Sequence, residues 1–173
     1  PLVSIGGFAR RLRQKFPDLT ECEIILRESE RLERILSRIG DYLKPVEVRF
    51  QECSINTIVG DCKDLLSIEL ERRKVVCQLD LDPELSQVRA DPNILKQVFI
   101  NLIRKGAEFM ARGGNLVIKT WETEQDILTE FGNQAPGLQV KRPEQLFMPF
   151  ADEGESIGLP LSYRLLKDMG GLL

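Results

Sequence analysis

Asn101 and Lys105 are two polar residues in the stretch NLIRKGAEFM, which otherwise has the pattern of a buried helix. Residues four apart lie on the same face of a helix, so the spacing predicts an amide and an ammonium side by side. An amide oxygen can coordinate a hard cation, whereas an ammonium has three donors and no acceptor. Lys105 therefore cannot be a metal ligand, and a cation at this position needs another explanation.

The helix that carries this pair shows one broad apolar stripe, and Lys105 projects at the edge of that stripe. The stripe consists of Ile94, Leu95, Val98, Phe99, Leu102, Phe109 and Met110. A lysine at a helix edge commonly runs its methylene stem along apolar neighbours and keeps its amine in water. That explanation and a functional one both remain open.

Two amphipathic helices are predicted at the start of the chain, from Leu2 to Phe16 and from about Glu21 to Leu43. The second has heptad-like spacing, and Pro45 ends it. Two antiparallel helices cannot cover both apolar stripes alone. We therefore expect residues 2–44 to form a homodimer through a four-helix bundle, and the alternative is a hairpin folded back on its own domain.

The remainder of the chain predicts strands and helices in alternation. The predicted order is a strand at 46–50, a helix capped by Ser54 that runs to Arg73, a strand at 74–81, a loop at 82–93, the helix with Lys105, two hairpin strands at 113–121 and 126–132, and a last helix at about 159–169. The fold class is therefore α+β. An antiparallel helical hairpin (residues 1–45) precedes an α/β sandwich (residues 46–173) whose helices cover one face of a mixed sheet.

Composition excludes several classes of function. The net charge of −3 argues against nucleic-acid binding, and the absence of an eighteen-residue apolar run argues against membrane contact. Four cysteines without a CxxC pair, and no histidine, argue against structural zinc and indicate reduced thiols of a cytoplasmic protein. The chain opens on Pro1 rather than Met, so we expect a fragment of something longer.

Several segments resemble sensor histidine kinases, in that family's order. PLVSIGGFARRL and ILRESERLERILSRIGDYLKP resemble the two helices of the dimerisation and phospho-acceptor domain. RADPNILKQVFINLIRKGAEFMARGG resembles the N box, NQAPGL the first glycine box, LFMPF the F box, and SIGLPLSYRLLKDMGG the second glycine box. The resemblance implies a dimeric helical hairpin followed by an ATPase domain of the Bergerat (GHKL) type.

The resemblance implies a nucleotide site made of Asn101, Lys105, Asn133, Gly137, Gly158 and Leu159. In the family, the second asparagine of the N box helps to hold magnesium, and here it is Lys105. An aspartate usually accepts a hydrogen bond from the adenine amino group, and here it is Asn133. Losing that charge assistance weakens the contact by on the order of 1 kcal/mol, or roughly tenfold in affinity.

Other departures from the family affect the phosphate contacts. Ala135 replaces a glycine of the first glycine box, and Pro160 replaces one of the second. Three acidic residues lie near the expected phosphate position: Asp152, Glu153 and Glu155. ATP and magnesium are therefore possible cofactors by resemblance, but we expect their binding to be weak or lost, with no metal ligands. Lys105 could contact phosphate in place of the metal, or it could remain a solvated edge residue.

The resemblance places the phospho-acceptor histidine just upstream of Pro1, outside this chain, so no catalytic residue is predicted within it. In the family the last helix leads into further strands, whereas this sequence stops at Leu173. In the F box, we expect Leu146, Phe147 and Phe150 to pack the base of the lid rather than to touch a ligand.

The predicted function is that of a cytoplasmic two-component sensor-histidine-kinase-like core with a degenerate ATP site, a pseudokinase in a phosphorelay. Its partner would be a response-regulator receiver domain, docking near Ile5, Phe8 and Leu12. One alternative is an active ATP-dependent histidine autokinase with a divergent site. Another is a structural dimer without phosphotransfer.

Overall fold

The computed structural model describes residues 1–17, 19–133, 146–147 and 157–173, and the chain divides into two units, Pro1–Pro45 and Val46–Leu173. Their elements in chain order are α1 (Leu2–Lys15), α2 (Thr20–Leu43), β1 (Gln51–Cys53), α3 (Ile55–Arg72), β2 (Val75–Leu81), β3 (Val88–Ala90), α4 (Pro92–Glu108), β4 (Gly114–Glu122), β5 (Ile127–Asn133) and α5 (Gly158–Asp168). The α+β fold class is confirmed.

The first unit is the predicted hairpin of α1 and α2. Its own seam is made of small or compact side chains, which let the helices approach closely. The buried residues of the seam are Gly6 and Ala9 on α1 and Cys22, Leu26 and Ser29 on α2. Apart from Leu26, the large apolar side chains lie elsewhere on these helices, so most of the two predicted stripes is not covered within the hairpin.

The second unit contains a three-stranded sheet in the order β2-β4-β5. Strands β2 and β4 are parallel, and β4 and β5 are antiparallel, so the predicted mixed sheet is confirmed. Along β4, Leu116, Ile118 and Thr120 are buried, whereas Lys119 and Trp121 are exposed. The alternation shows that the helices cover only one face of the sheet.

Two predictions about strands were wrong. The strand predicted at 46–50 is absent; Val46 and Val48 pack against the core, but that segment pairs with no other strand in the described chain. The strand lies just beyond, as β1, and it pairs antiparallel with β3, which falls inside the predicted loop. The alternation of Val46 and Val48 correctly predicted that both side chains are at least partly buried. It could not predict whether the segment pairs with another strand.

The core of the second unit joins the inner faces of α3, α4 and α5 to the covered face of the sheet. Side chains that exclude solvent completely include Val59 and Cys62 on α3, Val98 and Ile103 on α4, and Leu116 and Ile118 on β4. Helix α4 is central because it contacts α3, α5, β4 and β5. The helix with Asn101 and Lys105 is therefore held in place by packing against several other elements.

Helix α4 begins at a well-defined cap. Asp91 accepts hydrogen bonds from the backbone N–H groups of Asn93 (2.9 Å) and Ile94 (3.3 Å), and Pro92 occupies the first helical position. Its other oxygen accepts from the N–H of Arg49 at 2.9 Å. The cap therefore also ties α4 to the segment before β1.

None of the described helices is both long enough and apolar enough to cross a bilayer.

Candidate functional site

Lys105 lies near the C-terminal end of α4 and is engaged with its own helix. Its Nζ is 3.3 Å from a carboxylate oxygen of Glu108 and 5.1 Å from the centre of the Phe109 ring. The side chain is 24% exposed, so the ammonium is partly screened from solvent. The cation therefore has a local partner one helical turn away and an aromatic face beneath it.

These contacts hold Lys105 only weakly. An i,i+3 ion pair with exposed partners contributes about 0.2–0.5 kcal/mol. A cation–π contact contributes about 0.5–1 kcal/mol where the cation keeps contact with water, as the partly exposed Lys105 does. Redirecting Lys105 toward an anionic ligand would thus cost roughly 1 kcal/mol, or about fivefold in affinity. The contacts with Glu108 and Phe109 explain the conformation of Lys105, but they are too weak to prevent it from binding an anion.

Asn101 joins α4 to the first turn of α5. Its side-chain nitrogen donates to the carbonyl oxygen of Gly158 at 3.3 Å and to the hydroxyl of Ser162 at 3.2 Å. The Ser162 hydroxyl itself donates to the Gly158 carbonyl at 2.8 Å. The amide nitrogen is therefore held on α5, and the amide oxygen is the part of the side chain left to accept.

Asn133 ends β5 and reaches back to α4. Its side-chain nitrogen donates to the carbonyl oxygen of Gly106 at 3.4 Å. At Gly106, α4 packs closely against β4, because an added Cβ there would meet the Leu116 side chain at 2.9 Å. The contact leaves the Asn133 amide oxygen available as an acceptor. Asn101, Lys105 and Asn133 are thus all anchored on the C-terminal half of one helix.

The other predicted site residues are placed unequally. Gly158 is the first residue of α5 and touches Asn101; an added Cβ would meet that side chain at 3.6 Å, an ordinary contact. The side chain of Leu159 is buried, so only its backbone could meet a ligand. Pro160 lies in the first turn, where its missing N–H costs no helical hydrogen bond. Gly137 lies outside the described residues.

The other segments discussed from the sequence are described only in part. Ala135, Phe150 and the acidic residues 152, 153 and 155 fall outside the described residues. Phe147 is described: its ring lies 5.8 Å, centre to centre, from the ring of Tyr163 on α5. That contact agrees with the expectation that Phe147 packs rather than binds.

A magnesium ion does not fit the side chains at this position. Magnesium requires oxygen ligands in near-octahedral geometry. At the N box position Asn101 offers one neutral amide oxygen, and Lys105 brings a positive charge where a second ligand would be needed. Within the described part of the chain, no group of three or more cysteine, aspartate or glutamate residues could hold a metal ion. The donor set suits a ligand without a metal better than a metal-bound one.

The cysteines do not add reactive chemistry. All four are free, and Cys22 and Cys62 are buried. Burial raises the pKa of the Cys62 thiol to about 11, and the nearby charge of Lys96 only partly offsets that rise. Burial likewise raises the pKa of Cys53 and Cys77. Because the thiolate is the nucleophilic form, the raised pKa values make Cys53, Cys62 and Cys77 poor nucleophiles at neutral pH.

A separate apolar groove of about 340 Å³ lies beside β5 and the end of α5. Its lining includes Leu95, Phe131, Leu166 and Met169, and none of the predicted site residues. A small-molecule site normally adds converging polar groups to an apolar wall. The polar side chains of this lining are those of Asp126, just before β5, and Thr129, on β5, so the groove is distinct from the candidate nucleotide site.

Two residues of the site were missed from the sequence. Glu108, the partner of Lys105, stands three positions further along the same helix, a spacing that reads directly as an ion pair. Ser162 stands four positions after Gly158, on the apolar face of α5. A serine among apolar residues of a helix signals a buried hydrogen bond, but only the tertiary structure identifies Asn101 as its partner.

The comparisons with known proteins agree with this architecture. Residues 90–173 match the family of histidine kinase-, DNA gyrase B- and HSP90-like ATPases. Sporulation kinase C of Bacillus subtilis is 29% identical over all of this chain, and the histidine-protein kinase AtoS of Escherichia coli is 27% identical over 96% of it. The chain covers 42% and 29% of these two relatives, respectively.

Solved structures give the same result. The histidine kinase ThkA, in a crystal structure with the response regulator TrrA, matches 99% of this chain with a TM-score of 0.72 and 26% identity; the match covers 52% of ThkA. The order of a helical hairpin followed by an α/β sandwich is shared with this structure. Residues 90–173 match the ATPase family, and the chain as a whole is similar to sensor histidine kinases.

Proposed function

We propose that this chain is the cytoplasmic core of a two-component sensor-histidine-kinase-like protein whose ATP site is degenerate. It would act in signal transduction through protein contacts: homodimerisation by residues 2–44 and docking of a response-regulator receiver domain. Binding of ATP and magnesium would be weak or absent. The domain boundary would fall near Pro45, which agrees with the division of the structure into two units.

The observation that carries the proposal is the position of Lys105 and its ion pair with Glu108. In the family's magnesium-binding position this chain has an ammonium, and the ammonium is 3.3 Å from Glu108. The ammonium of Lys105 would repel a magnesium ion, and it has no acceptor atom that could coordinate one. The remaining amide of the N box, on Asn101, has its nitrogen turned toward α5 and keeps one neutral oxygen. One amide oxygen beside an ammonium is not a magnesium-holding pair.

Exposed apolar residues on the hairpin support the protein contacts. On α1, Ile5, Phe8 and Leu12 are 47%, 60% and 45% exposed, and they lie where the receiver domain is expected. On α2, Ile25 and Leu32 of the heptad-like stripe are 42% and 46% exposed. Apolar side chains in such numbers on one hairpin favour a partner surface. ThkA, which is similar in structure, was crystallised with a response regulator.

An active autokinase is the second candidate function. It is favoured by the acceptor oxygen of Asn133, which the bond from the Asn133 nitrogen to Gly106 leaves available to an adenine amino group. In that case Lys105 would leave Glu108 and stabilise phosphate charge. A structural dimer without phosphotransfer is the third candidate. The residue a few positions upstream of Pro1 separates it from the other two, since phosphotransfer requires a histidine there.

Calorimetric titration with ATP, with and without magnesium, tests the proposal. We expect no magnesium-dependent binding at millimolar ATP for the natural chain. Lys105→Asn supplies an amide oxygen in place of the ammonium, and Lys96→Asn is the matched control. Lys96 is on the same helix and forms an ion pair with Asp61, away from the predicted site residues.

The outcomes differ clearly. Micromolar, magnesium-dependent binding by the natural chain would overturn the proposal and favour the autokinase. Binding without magnesium that Lys105→Ala abolishes would make Lys105 a metal substitute. Magnesium-dependent binding gained by Lys105→Asn and not by Lys96→Asn would identify Lys105 as the principal defect. No gain in either variant would place the defect elsewhere in the site.

A further inference from the structure

Hydrogen bonds from Asn101 on α4 to Gly158 and Ser162 on α5 connect the two helices. The chemistry of these groups determines which atom of the Asn101 amide faces α5. The carbonyl oxygen of Gly158 can only accept hydrogen bonds, so the atom of Asn101 that faces it at 3.3 Å must be the nitrogen. The opposite orientation would set two acceptors against each other. The orientation of the amide is therefore determined by its partners on α5.

Ser162 completes the arrangement. It is fully buried, and its hydroxyl donates to the Gly158 carbonyl at 2.8 Å, one turn back along α5. Because its single hydrogen is used there, the hydroxyl faces Asn101 with a lone pair and accepts from the amide nitrogen at 3.2 Å. The Asn101 amide nitrogen thus faces two acceptors on α5, and these acceptors lie 2.8 Å apart.

We propose that Ser162 is a positioning residue that, together with the Gly158 carbonyl, holds the Asn101 amide with its nitrogen on α5 and its oxygen toward the ligand side. Within the described residues, the Asn101 oxygen accepts no hydrogen bond. It is therefore the group that Asn101 presents to a ligand. The inference rests on the proposed function only in treating Asn101 as part of a ligand site.

The orientation limits what Asn101 can contact. The amide oxygen of Asn101 cannot donate to a phosphate oxygen, but it can accept from an N–H or O–H group. Lys105, on the same face, offers only donors. The pair would thus meet a ligand that presents a hydrogen-bond donor to Asn101 and a negative charge to Lys105. An inorganic anion alone satisfies only half of this arrangement.

Nuclear magnetic resonance of the ¹⁵N-labelled chain tests the proposal without any nucleotide. The side-chain amide signal of Asn101 is identified by its loss in Asn101→Asp. We expect nuclear Overhauser contacts between the Asn101 amide hydrogens and the Ser162 β-hydrogens. In Ser162→Ala we expect the Asn101 amide hydrogens to exchange with water about fivefold faster, the factor for one lost hydrogen bond of about 1 kcal/mol.

Three internal controls separate positioning from general loosening. Tyr163→Phe also removes a hydroxyl from α5, at an exposed position, and should leave the Asn101 signal unchanged. The side-chain amides of Asn56 and Asn133 donate to Asp82 and Gly106, away from α5, and should keep their exchange rates in Ser162→Ala. Acceleration confined to Asn101 supports the proposal.

Two results would overturn it. One is an Asn101 amide that exchanges as fast as a solvent-exposed amide in the natural chain, with no Overhauser contact to Ser162. The other is an equal acceleration of the Asn56 and Asn101 amides in Ser162→Ala, which would make Ser162 an ordinary packing residue. Neither result depends on the ATP titration, so failure of this inference and failure of the proposed function are distinguishable.

Discussion

The cap of α4 allows a quantitative test of what holds the site helix in place. Asp91 is 5% exposed and accepts three backbone hydrogen bonds, from Arg49, Asn93 and Ile94. Asp91→Asn keeps the shape of the side chain but removes its charge. The new NH₂ group must also face at least one backbone N–H, so a donor meets a donor. The change therefore isolates the electrostatics of the cap from its packing.

The expected cost follows from these bonds. Losing one bond to the buried carboxylate, and the charge assistance of the others, destabilises the second unit by about 2 kcal/mol. For a unit of this size each kcal/mol lowers the melting temperature by roughly 3–5 °C, so the shift should be roughly 6–10 °C. Trp121, the single tryptophan, lies on β4 and reports the unfolding of this unit by fluorescence.

The same cap predicts a dependence on pH. Burial alone raises the pKa of Asp91, but the backbone N–H groups of Arg49, Ile94 and Asn93 and the charge of Arg49 outweigh it, so the folded pKa lies below the ordinary 3.8. A carboxyl with a lowered pKa stabilises the folded state above its unfolded pKa, and this contribution is lost as pH falls through the folded value. The difference between the natural chain and Asp91→Asn should therefore be full at pH 7 and shrink below pH 3.8.

Asp64→Asn is the matched control because it removes an equal charge from an exposed position on α3. We expect it to change the melting temperature by little at either pH. A shift for Asp91→Asn no larger than that of Asp64→Asn would refute the reasoning. So would a difference between the natural chain and Asp91→Asn that stayed constant through acidic pH.

Two further changes test the core and the hairpin. Thr120→Val removes a hydroxyl that donates to Asn56 at 2.8 Å and accepts from the N–H of Asp82 at 3.1 Å. We expect the free energy of unfolding of the second unit, measured in urea, to fall by about 1–3 kcal/mol. An unchanged urea midpoint would contradict this. Leu32→Glu should weaken dimerisation by roughly 100-fold or more in analytical ultracentrifugation, because each copy loses about 2 kcal/mol of apolar burial. Arg34→Glu, on the same helix, should change it much less, and equal effects would argue against a dimer through the stripe.

The helices could be predicted from the sequence because their signals are local. The apolar positions of α4 recur every three or four residues, and the cap of α3 by Ser54 needs only the next three residues. The hairpin of β4 and β5 is also local, since its strands follow each other in the chain. Periodicity within a short window is enough for such elements.

The strands β1 and β3 could not be predicted in the same way. Each has three residues, and Cys53 pairs with Val88 across a long stretch of chain. Three residues are too few for an alternation pattern, and the pairing depends on α3 and β2 bringing the two segments together. The predicted strand at 46–50 was wrong for the related reason that alternation reports burial, not a hydrogen-bonded neighbour.

The sequence by itself determined which residue types stand at the site: an ammonium at Lys105, an amide in place of a carboxylate at Asn133, and a proline at 160. These identities decide which atoms can donate and which can accept, wherever the chain places them. Only the tertiary structure decided how those atoms are used. Asn101 meets Gly158 and Ser162 across separations of 57 and 61 residues, and packing of α5 on α4 alone brings them within hydrogen-bonding distance.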